Sequence, residues 1–141
     1  MFKATVTPGF GEINGMKNAN NNAISIWFEK ARNPIFRLFI PDLDLNPDKW
    51  KLIMVRAEFD YVGEMFYGED VEIRTFITRI GNSSFTVGQE AWQNGKLGTK
   101  GQTVIVHYDY LSDKTIPIPA SIKKLLEEHM EASDKASELS N

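Results

Sequence analysis

Five asparagines lie within nine residues, directly before an amphipathic segment, and they limit the chemistry that this part of the chain can perform. They are Asn14, Asn18, Asn20, Asn21 and Asn22. A side-chain amide can donate a hydrogen bond to a carbonyl and hold a water molecule, but it cannot accept a proton as a general base. The cluster can therefore orient a carbonyl group or a water molecule, and proton transfer would need another residue.

Two glutamates close to the asparagines in sequence are candidate bases. Glu12 lies in the loop two residues before Asn14, and Glu29 follows Asn21 by about two helical turns. Glu29 also stands three residues before Arg32, which is an ordinary spacing for an ion pair on a helix. The sequence leaves both catalysis and ion pairing open for Glu29, and it leaves a base role open for Glu12.

The other residues that could do chemistry are isolated from one another. His107 belongs to a strand pattern and His129 lies near the chain end, and two histidines so placed form no metal motif. Ser83 and Ser84 have no nearby base, so we expect them to bond the backbone near a hairpin. The chain has no cysteine, which excludes disulfides and thiolate catalysis. We predict no metal site.

Composition favours a single globular domain. The chain has 141 residues, 42% of them hydrophobic, and a formal net charge of −3. It has no basic stripe with interleaved aromatic residues, so nucleic acid is not expected as a ligand. It has no apolar run long enough to cross a membrane and no signal pattern at its start. With the lack of cysteine, these features predict a cytoplasmic protein without a membrane role.

The asparagines precede a predicted helix that is buried on one face. From Ala23 onward the apolar residues recur at helical spacing, at Ile24, Trp27, Phe28, Ala31, Ile35 and Leu38. This pattern predicts a long helix of about five turns. Asparagine at positions 20 to 22 supplies candidate N-caps, and Pro34 predicts a kink or a second short helix.

The remainder of the sequence predicts strands joined by tight turns. One short strand, residues 2–7, precedes the helix, and four long strands follow it over residues 52–62, 70–80, 83–93 and 96–111. Asn94-Gly95 is the strongest hairpin signal, because both residues tolerate positive φ. Pro119 can open a short C-terminal helix. We therefore predict an α+β domain over residues 1–129, with a curled antiparallel sheet of about five strands wrapped on the helix, and a polar tail over residues 130–141.

Three segments resemble the hot-dog fold thioesterases of the 4-hydroxybenzoyl-CoA thioesterase type. The first is FGEINGMKNANNNAISIWFEKAR, residues 10–32, which aligns without a gap to a family pattern of roughly FGEIDxMGHVNNxxYxxYFExAR. The second is FDYVGEMFYGEDVEIRTFITRIGNSSFTVGQE, residues 59–90, and the third is IPIPASIKKLLEE near the end. Together they cover about residues 2–128. The resemblance implies a homodimer, with dimers pairing into tetramers as an open alternative, and an active site at the subunit interface.

The resemblance also implies roles for individual residues. The backbone N–H of Asn21 would hold the oxyanion, and Asn14 and Asn18 occupy the positions of the family's catalytic aspartate and its neighbouring histidine. Asn14 would then orient water, or Glu29 or Glu12 would supply the missing base. Asn18 and Asn20 would contact the substrate, and Ser83 and Ser84 would lie near the pantetheine tunnel.

The resulting expectation is an acyl-CoA thioesterase, with coenzyme A as part of the substrate and no separate cofactor. The acyl group and the choice between coenzyme A and an acyl carrier protein stay open. The alternative is a non-catalytic hot-dog protein that binds acyl thioesters, and the neutral residues at positions 14 and 18 favour it.

Overall fold

The computed structural model describes residues 1–15 and 18–130. Apart from β6, its strands and helices follow the predicted order along the chain: β1 (Phe2–Val6), α1 (Asn21–Ala31), α2 (Asn33–Phe36), β2 (Leu52–Tyr61), β3 (Val71–Ile80), β4 (Ser84–Gln93), β5 (Lys96–Asp109), β6 (Lys114–Thr115) and α3 (Ala120–Glu127). A short 3-10 turn, Phe10–Glu12, follows β1. The predicted tail lies outside the described residues except for Met130.

The sheet is antiparallel with the order β1-β3-β4-β5-β2, and β6 pairs with the end of β5. Register shifts interrupt the pairing near Val55, Thr78 and Trp92. Such bulges bend strands and increase their twist, which lets the sheet curl around the helix. The predicted hot-dog fold class, with a curled sheet of about five strands, is confirmed, and the two-residue strand β6 is an addition that the sequence pattern did not indicate.

Helix α1 is shorter than the predicted five turns. It has 11 residues and ends at Ala31, and a separate four-residue helix, α2, carries Pro34 in its first turn. Pro34 has no N–H to continue the α1 hydrogen-bond ladder, so the apolar stripe passes from one helix to the next. The prediction of one long helix was wrong, and the prediction of a second short helix at Pro34 is confirmed.

The concave side of the sheet holds the apolar core. The buried face of α1 packs against the part of the sheet near the start of β3, through Ala23, Ile24, Trp27, Phe28 and Ala31. A second cluster joins Ile35 and Leu126 to strand residues such as Ile77, Phe85 and Ile105. The helices therefore divide the core between them, and α1 lies with its N-terminus near the β2–β3 link.

Strand β2 forms one edge of the sheet and leaves large apolar side chains exposed. Met54 and Val55 lie at its bulge, and Tyr61 and Val62 lie at its end. Unpaired edge strands offer a row of backbone donors and acceptors to another strand. Within residues 1–15 and 18–130, no helix is both long enough and apolar enough to span a bilayer.

Candidate functional site

The loop that leads into α1 is held by Glu12. Its carboxylate accepts hydrogen bonds from the Gly9 backbone N–H at 2.7 Å and from the Trp27 indole N–H at 2.9 Å. Its backbone carbonyl accepts from the Asn20 N–H. Glu12 thus closes the 3-10 turn through Gly9, orients the buried Trp27 side chain of α1 and holds the backbone of Asn20, the residue that precedes the helix.

Asn14 and Asn18 close the next turn of this loop on each other. The Asn14 N–H donates to the Asn18 carbonyl at 2.9 Å, and the Asn14 Oδ1 accepts from the Asn18 N–H at 3.3 Å. The side-chain oxygen of Asn18 is buried and accepts no hydrogen bond from the described residues. Two amides with no ionisable proton are therefore held together immediately before α1.

Asn20 is the N-cap of helix α1, which confirms one of the three capping candidates at positions 20 to 22. The Asn20 side chain accepts from the Ala23 N–H at 2.7 Å. The Asn21 N–H makes no hydrogen bond within the described residues. Free N–H groups and the positive end of the helix dipole favour a negatively charged oxygen at this position.

A cavity of about 350 Å³ lies at this helix N-terminus, and we call it the asparagine cavity. Its wall combines the loop, the first turns of α1 and the link between β2 and β3, through Asn14, Asn18, Ala19, Asn21, Ile24, Tyr61, Val62, Gly63, Glu64 and Met65. The structure thus brings together three of the residues expected at the site, namely Asn14, Asn18 and Asn21.

Glu29 lies in a different cavity. It follows Asn21 by eight residues on α1, about 12 Å along the helix axis. Its cavity, of about 500 Å³, lies between the exposed face of α1 and strand β2, and we call it the helix-face cavity. Most of its lining is apolar, with Ile26, Phe36, Trp50, Leu52 and Phe59 among its wall residues.

Arg32 also lines the helix-face cavity but forms no ion pair with Glu29 within the described residues. Its Nη1 donates to the Gln89 side-chain oxygen at 3.1 Å, and its Nε is buried and has no hydrogen-bond partner in the part of the chain that the structure describes. Burial lowers the pKa of the Arg32 guanidinium, and the negative charge of Glu29 partly opposes this shift. The ion pair that the sequence spacing allows is therefore replaced by a buried hydrogen bond to β4.

Ser83 and Ser84 lie at the far end of the sheet from the asparagine cavity. Ser84 pairs with Val106 on β5, whereas Tyr61, which lines the cavity, pairs with Thr99 on the same strand. Seven residues of strand separate these two pairs, which is about 23 Å. The Ser83 carbonyl accepts from the His107 N–H, and the His107 ring contacts the Pro117 carbonyl at 3.2 Å. Within one protomer these serines do not join the asparagines.

The sequence patterns did not indicate the segment Tyr61–Met65 as part of the site. Strand β2 ends at Tyr61, and the next four residues line the asparagine cavity. A glutamate directly after Gly63 at a strand end was the available signal, but only the tertiary structure places it beside α1. Within the described residues, no group of three histidine, aspartate or glutamate side chains could hold a metal ion.

Several solved structures resemble this chain over most of its length. A predicted thioesterase from Bacillus stearothermophilus is 41% identical, with a TM-score of 0.85 over 91% of this chain and 95% of the other. A thioesterase from Thermus thermophilus, solved with coenzyme A and zinc, is 22% identical, with a TM-score of 0.77 over 91% of this chain and 92% of the other.

A hypothetical protein from Staphylococcus aureus, solved in complex with coenzyme A, is 13% identical, with a TM-score of 0.81 over 92% of this chain and 84% of the other. Its likeness and that of the Thermus protein show a shared fold. None of the curated proteins compared with the chain matches it. The model of the Thioesterase-like superfamily matches residues 8–126. By this match and by its likeness to the Bacillus protein, the chain belongs to the Thioesterase-like superfamily.

Proposed function

We propose that this protein hydrolyses coenzyme A thioesters to a free acid and a thiol, as the 4-hydroxybenzoyl-CoA thioesterase type does. The observation that supports this most strongly is the N-terminus of α1, where the Asn21 N–H, which bonds no other described residue, lies beside a cavity of about 350 Å³. A thioester carbonyl that accepts from Asn21 would be polarised, and its oxyanion would be stabilised as water attacks.

In this proposal the neighbouring asparagines bind and orient rather than transfer protons. The Asn14 amide occupies the position of a catalytic aspartate and would orient the attacking water, while Asn18 lines the pocket around the thioester and Asn20 caps the helix that forms part of its wall. Coenzyme A enters as part of the substrate, and no separate cofactor is required. The Thermus and Staphylococcus proteins solved with coenzyme A share this fold, which supports that substrate class.

We further propose that the working unit is a homodimer joined through the exposed edge of β2, with dimers pairing into tetramers as an open possibility. Two copies related by a twofold axis would pair these edges antiparallel, which reverses one sheet relative to the other. The end that carries Ser83 and Ser84 in one protomer would then approach the asparagine cavity of the other. This arrangement would bring the serines to the pantetheine path and would bring the two kinds of cavity together.

We also propose that this protein, which has no cysteine, acts in the cytoplasm.

The proposal is tested by thiol release from short, medium-chain, long-chain and aromatic coenzyme A thioesters, followed with a thiol reagent. We expect release above the uncatalysed blank for at least one acyl class, with the rate proportional to enzyme concentration. The same thioesters carried on acyl carrier protein test the carrier. The absence of release from every substrate would overturn the enzymatic function.

A non-catalytic role in binding acyl thioesters is the second candidate. The neutral amides at Asn14 and Asn18 favour it, because neither can accept a proton. This role predicts tight binding of an acyl-CoA that is recovered intact after hours with the protein. Calorimetry followed by chromatography of the bound ligand separates the two functions.

A further inference from the structure

Glu64 is the one acidic residue among the described residues that line the asparagine cavity. It lies in the link between β2 and β3, and it shares the cavity wall with Asn14 and Asn21. A carboxylate in this position brings to the site what its amides lack, a group that can accept a proton. Neither composition nor local sequence pattern indicated this residue.

The backbone on the N-terminal side of Glu64 is fixed by strand β5. The N–H groups of Val62 and Gly63 both donate to the Gly98 carbonyl, at 2.9 and 3.0 Å. A methyl group on Gly63 would lie 3.0 Å from the Leu97 carbonyl oxygen, so a larger residue would require the backbone here to shift by a few tenths of an ångström. The chain therefore reaches Glu64 from a point held against the sheet.

The backbone on the C-terminal side is fixed by the loop that leads into α1. The Met65 side chain is buried. The Met65 backbone carbonyl accepts a hydrogen bond, at 2.7 Å, from the N–H of Ala19, the residue before the N-cap of α1. The Phe66 backbone N–H and carbonyl both bond the Gln93 side-chain amide. Glu64 is consequently held beside the helix N-terminus from both directions, while its own side chain stays exposed.

The three glutamates near the site differ in the hydrogen bonds that their carboxylates accept and in the cavity that they line. Both carboxylate oxygens of Glu12 already accept N–H hydrogen bonds, and Glu29 lines the helix-face cavity. Glu64 makes no hydrogen bond or ion pair within the described residues. Of the three, only Glu64 combines a wall position in the asparagine cavity with a carboxylate that is not occupied by the protein.

We propose that Glu64 is the general base of the hydrolysis, an inference that rests on the proposed thioesterase function. Its carboxylate accepts a proton from water as the water oxygen bonds to the thioester carbon, and the carbonyl electron pair moves to the oxygen held by the Asn21 N–H. When the oxyanion collapses, the carbon–sulfur bond breaks and the thiolate takes the proton from Glu64. The products are a carboxylic acid and a thiol, and Glu64 returns to its ionised form.

The test compares the purified wild-type protein with Glu64→Gln, on the thioester that wild type hydrolyses fastest. We expect kcat to fall by about 100- to 10,000-fold, as for loss of a general base, with KM changed by less than about threefold. Glu127→Gln, the same change at an exposed position on α3, is the matched control and should retain wild-type kcat. Because the Glu64 side chain is exposed and bonds no residue within 1–15 and 18–130, the variant should keep the wild-type thermal midpoint.

Two rescue measurements distinguish a base from a structural residue. Formate should restore part of the kcat of Glu64→Ala but should not change wild type. In the Glu64→Gln background, Asn14→Asp should raise kcat at least tenfold, because position 14 lines the same cavity. If wild type is active and Glu64→Gln keeps kcat within twofold, or neither rescue occurs, the base assignment is overturned while the proposed function stands. If wild type hydrolyses no thioester, both the base assignment and the proposed thioesterase function are overturned.

Discussion

At the scale of single residues, the mechanism that we propose separates the stabilisation of charge, at the Asn21 N–H, from the transfer of protons, at Glu64. Asn14 and Asn18 are neutral, so they do not cancel the positive potential at the start of α1. An ionised aspartate at position 14 would supply a base but would also offset part of that potential. A base at Glu64 instead places the negative charge on the β2–β3 link, which forms a different part of the wall of the same cavity.

Asn20 determines how firmly the first turn of α1 is held. Its side chain caps the Ala23 N–H, and Asn20→Ala should lower the free energy of unfolding by about 1 kcal/mol. We also expect a lower kcat, because fraying of this turn would displace the Asn21 N–H. Urea unfolding and thiol release measure the two effects.

Asn22→Ala is the control for this prediction. Asn22 is exposed in the first turn of α1 and its side chain makes no hydrogen bond in the described part of the chain. Alanine is also the better helix former, so stability should hold or rise slightly. Equal destabilisation by the two variants would show that the Asn20 cap does not have the assigned role.

The sequence predicted the residues of the asparagine cavity that are close together in the chain. Asn14, Asn18 and Asn21 belong to one loop and one helix start, so their proximity follows from local structure and from the motif that contains them. Glu64 is 43 positions after Asn21 and reaches the cavity only because β2 runs the length of the sheet before the chain turns back. No local pattern carries that information.

At the scale of structural elements, the β2–β3 link is positioned by packing against a glycine. A methyl group on Gly98 would lie 2.6 Å from the Met65 Cγ and 2.8 Å from its Sδ. Gly98→Ala must therefore displace Met65, and overpacking of this kind typically costs about 1 to 3 kcal/mol. Since Met65 adjoins Glu64, we expect kcat to fall together with stability.

Gly11→Ala is the matched control, because a methyl group there would meet no atom within 4 Å. It should leave both kcat and the urea midpoint close to those of wild type. Full activity in a destabilised Gly98→Ala protein would mean that the position of the link does not matter for the reaction.

The pair of Lys51 and Asp109 joins the chain just before β2 to the end of β5, and it makes stability depend on pH. Hydrogen bonds from the Lys51 ammonium, at 2.9 Å, from the Ser112 hydroxyl and from the Leu111 N–H lower the pKa of Asp109 to about 2. A carboxylate with a lowered pKa stabilises the fold above its unfolded pKa, and this contribution is lost as pH falls from about 4 towards 2.

Urea unfolding of wild type and Asp109→Asn between pH 6 and pH 3 measures this contribution. Wild type should be the more stable at pH 6, and the difference between the two proteins should shrink below about pH 4 as the carboxyl becomes protonated. A difference that stays constant over this range would contradict the role given to the pair.

Strand pairing was more predictable than helix length, for a physical reason. Asn94 and Gly95 have φ of 53° and 73°, as their hairpin signal requires, and they fix the register of β4 and β5 locally. The apolar stripe of α1 continues in register past Pro34, so periodicity alone extends the helix, whereas the missing N–H ends its hydrogen-bond ladder. Strand β6 has two exposed residues and therefore no pattern to detect.

At the scale of the whole molecule, the proposed dimer would bury the exposed edge of β2 and join the two kinds of cavity. The double variant Met54→Asp/Val55→Asp should convert the dimer to a monomer. It places two negative charges on the β2 edge of each protomer, and these charges repel those of the partner across the interface. Sedimentation velocity should detect the change in mass, and thiol release should fall if each site needs both protomers.

Leu45→Asp provides the comparison, since Leu45 is an exposed apolar residue in the loop before β2. It should keep the sedimentation coefficient and kcat of wild type. A double variant that remains dimeric, or a fully active monomer, would contradict the proposed interface or its role in the site.

The proposed reaction depends above all on where the substrate carbonyl lies, and a crystal structure with a non-hydrolysable acyl-CoA analogue measures that position directly. A ketone in place of the thioester keeps the carbonyl oxygen and removes the bond that breaks. We predict that this oxygen lies about 2.7 to 3.1 Å from the Asn21 backbone nitrogen, with Glu64 facing the same carbon across a water molecule. An analogue whose carbonyl binds in the helix-face cavity, or leaves the N-terminus of α1 unoccupied, would contradict the role proposed for the Asn21 N–H.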